Sequence, residues 1–106
     1  MQPDMSKMMQ ALSKAQEGMM RAQKELETAT VEGQAGGGAI KIITTGDFNF
    51  KSIKISPDAV DTSDMSMLED LVLTAINDAV RKAQDLHKQK LTASMGGLNL
   101  PPGFGL

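Results

Sequence analysis

Between residues 5 and 29, apolar or small side chains fall at Met5, Met8, Leu12, Ala15, Met19, Ala22, Leu26 and Ala29. The steps alternate between three and four residues, which is the a/d spacing of a helix with one apolar seam. This predicts a single helix over about residues 4–27, with Pro3 and Asp4 as its start signals. At ~1.5 Å per residue it is roughly 35 Å long, more than a small sheet can cover. Part of the seam must meet something else, and a second copy of the chain is the simplest candidate. On that reading Met5, Met8, Leu12, Met19 and Leu26 form a dimer interface. The alternative is an adaptable, Met-rich surface for another protein. Gly18 is a weak point, since an interior glycine costs about 1 kcal/mol relative to Ala.

Three short strand-like runs follow, at 29–35, 39–45 and 48–55. Gly46-Asp47 between the second and third is hairpin chemistry. In the third run, simple alternation places Phe48, Phe50 and Ser52 on one face and Lys51 and Ile53 on the other. The segment "GQAGGGAIKIITTG", residues 33–46, holds five glycines. A phosphate-binding glycine loop needs a turn that opens onto a helix N-terminus. Here the glycines lead into a strand, with neither G-x-x-x-x-G-K-[ST] nor G-x-G-x-x-G spacing. They read as positive-φ turn residues between antiparallel strands.

A second long helix is expected from near Asp64 to near Ser94, before Gly96-Gly97. "DTSD" supplies cap residues, and Ser66 with Glu69 has capping-box spacing. Leu68, Leu71, Val72, Ala75, Ile76, Ala79, Val80, Ala83 and Leu86 form a broad apolar stripe to cover the sheet. The fold class is therefore α+β: α-β-β-β-α, a three-stranded antiparallel meander flanked by two long helices, and dimeric. Residues 1–95 form a single domain, and 96–106, "GGLNLPPGFGL", a flexible Gly/Pro-rich tail.

At 106 residues the chain suits one domain with a modest core. Aromatics are 3%, without Trp or Tyr, so the core comes from aliphatic residues and nine Met. That supply favours a helix-rich protein that borrows burial from a partner. The absence of cysteine excludes disulfides, thiolate metal sites and a cysteine nucleophile, and fits a reducing, cytoplasmic setting. The N-terminus lacks the apolar run of a signal peptide, and no run is long enough to span a bilayer. The net charge of −2 hides an uneven distribution. Residues 58–70 carry only acids, whereas 81–90 carry Arg81, Lys82, Lys88 and Lys90 against Asp85 alone. A polyanion responds to such local zones rather than to the average.

No catalytic site can be assembled. Ser and Thr lack a nucleophile elbow or matching base. His87 is the sole histidine, read as a solvated surface residue. The acidic segment lacks calcium-loop spacing. No metal or cofactor is expected. The sharper feature is Lys7, Lys14 and Arg21, seven apart on the first helix, a line of positive charge at roughly 10 Å intervals. It could track phosphates. Alternatively it is a solvated face on which Glu17, Arg21 and Glu25 neutralise one another at i, i+4 spacing.

"MLEDLVLTAINDAVRKAQDLHKQKL" followed by "GLNLPPGF" resembles the C-terminal signature of the YbaB/EbfC family of bacterial nucleoid-associated proteins. "VEGQAGGGAIKI" is similar to that family's glycine-rich turn and following strand, and "IKISPDAV" to its third strand and exit. "MSKMMQALSKAQEGMMRAQKEL" fits its Met- and Gln-rich first helix, so the resemblance covers nearly the whole chain. "MQPD" replaces the family's glycine-rich lead, and "TGDFNF" replaces its more usual Asn-Gly turn. The resemblance implies a homodimer with protruding, tweezer-like helices that binds double-stranded DNA in the bacterial nucleoid and has no enzymatic activity. It carries over no contact residues. From the charge pattern alone, the DNA-binding candidates are Lys7, Lys14, Arg21, Arg81, Lys82, Lys88 and Lys90. A paucity of base-reading donors (two Arg, and Asn77) predicts weak sequence preference. The alternative function is a dimeric protein-interaction module that uses the Met-rich helix and the tail.

Overall fold

The structure, a computed structural model, describes residues 4–94. The tail assigned to 96–106, and with it the domain limit at 95, lies outside the described residues. Helix α1 spans Met5–Thr28, strands β1 Thr30–Ala35, β2 Ile40–Thr45 and β3 Phe50–Ile55, and helix α2 Met65–Ser94. The sheet is antiparallel in the order β1-β2-β3. This is the α-β-β-β-α meander expected from the sequence.

Local chemistry sets the boundaries. Asp4 caps α1, its carboxylate accepting from the amides of Ser6 at 3.1 Å and Lys7 at 3.3 Å. The cap of α2 is Asp64, which accepts from the Met67 amide and from the Ser66 hydroxyl. Ser66 is therefore already helical, and the capping box expected at Ser66 and Glu69 does not form. The glycine run does make the turn: Gly36, Gly37 and Gly38 have φ of 63°, 68° and 95°. Only glycine takes three such residues in succession without strain.

The third strand corrects two expectations. Phe48 lies not in it but in the preceding turn, at φ 66°. Its amide donates to the Thr45 carbonyl, and the Asn49 amide donates to Thr45 Oγ1. The pairing of β2 with β3 also shifts between Ile43 and Thr44, so that Thr44 faces Phe50. This bulge breaks the alternation and puts Phe50 on the same face as Ile53 and Ile55, not on the opposite one.

The core lies between α2 and the inner face of β1 and β2. Ala35, Ile40 and Ile42 pack against Ala75 and Ala79, with Leu68, Leu71, Val72 and Ile76 around them. The stripe of Ala75, Ala79 and Ala83 is fully buried, which lets α2 sit low on the sheet. A Cβ at Gly33 would overlap the Ala75 carbonyl and Ala79, so glycine is required for that approach. At the other end Gly46 leaves room for Leu26 and Leu86. Fully burying an aliphatic side chain such as Leu26 or Ile40 stabilises the fold by about 1.5–3 kcal/mol.

Both helices outrun the sheet. Six-residue strands span about 20 Å, whereas the thirty residues of α2 span about 45 Å. The C-terminal half of α2 extends past the sheet and packs along α1, so that the molecule is 76 Å long and 16 Å thick. The α1 residues before Ala22 form a projecting arm whose side chains are mostly exposed.

Candidate nucleic-acid interface

The seven basic candidates separate into three places. Lys7 stands exposed on the first turn of the arm. Lys14 and Arg21 line a groove of about 400 Å³ between α1 and α2, together with Lys90. Its small lining residues are Gly18, Ala22 and Ala93, which gives the interior glycine of α1 a role. Lys88 faces an adjoining groove with Gln89 and Thr92. The end of α2 and the middle of α1 thus bring Lys14, Arg21, Lys88 and Lys90 to one part of the molecule.

Arg81 and Lys82 belong elsewhere, at the β1 edge. Both pair with Asp78, Lys82 at 3.0 Å, and Lys82 also donates to the Glu32 carbonyl at 2.9 Å. Asp78 in turn accepts from the Gln34 amide of β1 at 2.9 Å. That hydrogen bond, then the one from Lys82, holds the Asp78 carboxyl below the usual carboxylate range. Asp78 and Lys82 therefore fasten α2 to β1, and Arg81 pairs with Asp78 on the same helix from a largely exposed position.

Glu25 does not neutralise Arg21 on its own helix; it pairs across the groove with Lys90 at 3.1 Å. His87 is half-buried rather than solvated, its ring stacked on Phe48 with centroids 6.5 Å apart. The apolar seam divides in two. Met5, Met8, Leu12 and Met19 are exposed, whereas Leu26 is only 2% exposed and takes its burial from its own protomer. Leu26 belongs to the core, beside Gly46, and is not on offer to a second copy.

Several basic residues outside the sequence-derived set are exposed too. Lys24 lies beside Met20 and Arg21. Lys41 and Lys54 stand directly opposite each other on the outer face of the sheet. Their alternation with Ile40, Ile42, Ile53 and Ile55 was the available signal. Among the described residues, no group of three His, Cys, Asp or Glu is placed to hold a metal, and no helix is long and apolar enough to cross a membrane.

The sequence profile of the YbaB/EbfC DNA-binding family matches residues 1–98. The chain belongs to that family. It is a family of DNA-binding proteins, not of enzymes. A nucleoid-associated protein of Pelotomaculum thermopropionicum is 45% identical over 101 residues, 95% of this chain and 96% of the relative. One from Rhodopseudomonas palustris is 42% identical over 99 residues, 93% of this chain and 94% of its own. The crystal structure of an uncharacterized protein from Helicobacter pylori superposes with a TM-score of 0.73, covering 90% of this chain and all of that one. At 15% identity it shares the fold of this family member.

Proposed function

We propose that the protein is a nucleoid-associated protein that binds duplex DNA as a homodimer, with weak sequence preference, in the bacterial nucleoid. The observation that carries this reading is the exposed line of Lys7, Lys14 and Arg21 on a projecting helix, joined by Lys88 from α2, with Lys90 beside it in its pair with Glu25. Such a line neutralises phosphates and releases counterions, and a two-fold axis doubles it. Weak preference follows from the donor set. Arg81, one of the two arginines, is committed to Asp78, so the lysines act as point charges on the backbone. The two helices, with their sheet, make up one binding and dimerisation domain.

The test is duplex affinity by fluorescence anisotropy across salt concentrations. For a dimer, Lys14→Gln with Arg21→Gln removes two charges per protomer. The slope of log K against log salt should then fall in magnitude by about 4. Arg81→Gln should leave the slope nearly unchanged. An unchanged slope in the Lys14/Arg21 variant would overturn the assignment of the arm.

The exposed stripe of Met5, Met8, Met9 and Leu12 favours a second reading, a protein-interaction module built on the same arm. On that reading Met9→Gln abolishes partner capture, and the Lys14/Arg21 variant leaves it intact.

A further inference from the structure

The apolar seam of α1 is covered at one end and bare at the other. Ala22 and Leu26 are 4% and 2% exposed, whereas Met5, Met8, Met9 and Leu12, on or beside the same seam, are 54–66% exposed. Coverage stops where α2 stops. The two helices run antiparallel, with Lys90 at Glu25 and Ala93 in the groove beside Gly18. The last residue of α2, Ser94, thus stands where the bare face begins. The chain goes on from that point with residues 95–106, "MGGLNLPPGFGL".

The geometry points to this segment as the cover of the seam: residues 95–106 lie back along α1 of their own chain, with Leu98, Leu100 and Phe104 against Met5, Met8 and Leu12. The inference goes beyond the proposed function and depends on neither DNA binding nor the homodimer.

Three features commit the seam to this occupant. The first is position and reach. From Gly18 to Met5 the helix is about 20 Å long. Extended chain covers about 3.3 Å per residue, so about half of the twelve residues after Ser94 span it. The second is chemistry. The segment holds no charged side chain, and its Leu98, Leu100 and Phe104 match a stripe of thioethers and Leu12. Gly96 and Gly97 permit a change of direction after α2. Pro101 and Pro102 restrict the undocked chain, which lowers the entropy lost on docking. The third is what the cover leaves free. At 3.6 residues per turn Lys14 stands about 160° round the helix from Leu12. The basic line therefore faces away from the seam, and a partner on that line and the segment on the seam occupy α1 together.

Thioether oxidation tests the cover directly. Hydrogen peroxide transfers one oxygen atom to the sulfur, giving the sulfoxide and water, and susceptibility follows access. By exposure alone Met67, at 45%, should be slower than Met5, Met8 and Met9. With the segment docked, peptide mass spectrometry of the full chain should find Met5, Met8 and Met9 oxidised several-fold more slowly than Met67. Leu100→Asp with Phe104→Asp should reverse that order at unchanged circular dichroism. Faster oxidation of Met5, Met8 and Met9 in the unaltered protein would overturn the proposal. So would slow oxidation that survives in the Leu100/Phe104 variant, because a second copy's arm would then be the cover. The chain has no cysteine, so an introduced pair reports cleanly. Leu12→Cys with Asn99→Cys should form a disulfide within one chain, which runs as a monomer on a denaturing gel. A disulfide-linked dimer would put the segment on a neighbour's arm and overturn docking on its own.

Discussion

The two edges of the sheet are treated oppositely. At β1, α2 sits so close that Gly33 admits no side chain, and Asp78 and Lys82 bind the helix to the strand backbone. At β3 the same sheet carries the same kind of residues on the same side, and no helix covers them. The difference arises from where one helix is laid. A three-stranded sheet is about 15 Å wide at the usual strand spacing, and a helix is about 10 Å across, so a single helix cannot shield all three strands. The alanine stripe and Gly33 decide which edge is closed.

The contrast can be broken most severely at the closed edge. Gly33→Val drives a branched side chain into α2 and should destabilise the protein by about 3 kcal/mol or more, read from denaturant midpoints. The next effect compares neighbours across one strand pair. Ile42→Ala should cost about 3 kcal/mol. Ile53→Ala should cost about 1 kcal/mol in dilute protein, because only half the side chain is covered. A cost at Ile53 that grows with protein concentration would show that a partner covers it.

The smallest effect concerns acid. The Asp78 carboxyl is held below its ordinary range by the Gln34 amide and Lys82, so the folded state favours its ionised form. Its contribution is present above the unfolded carboxylate value of about 4 and is lost as pH falls through the lower folded value. Thermal midpoints should therefore decline below about pH 4 more steeply for the native protein than for Asp78→Asn. Parallel curves would remove Asp78 from the account of the closed edge.

Much of this architecture is readable from the chain. The three-and-four spacing of Met5 to Leu26 marks α1, and the apolar stripe from Leu68 to Leu86 marks α2, because a helix repeats its pattern over many turns. The glycine run is legible as a turn because positive φ has few suppliers. The bulge beside Thr44 is not. A strand of six residues offers too few repeats to reveal one extra residue, and that residue moves Phe50 to the other face. Nor does the pattern distinguish Leu26 from Leu12. Both lie on one seam, and only the end of the sheet, at Gly46, separates core from arm. The basic candidates divide for a similar reason. Asp78 stands three and four residues before Arg81 and Lys82, a helix-pair spacing that the sequence does show, but the reach of Lys82 to the Glu32 carbonyl of β1 is not legible there.

The overhang of α1 has a mechanical meaning. Lys7 lies fifteen residues from Ala22, the last buried point of the helix, or about 22 Å away. A tilt of about 10° at that pivot swings Lys7 by about 4 Å, more than the ~3.4 Å of duplex axis that each phosphate of one strand occupies. The arm is a lever, and its pointing accuracy depends on the short zone where Ala22 and Glu25 meet Lys90 and Ala93. Stiffness in that zone, rather than the charges at the tip, sets how finely the arm can measure a ladder of negative charge.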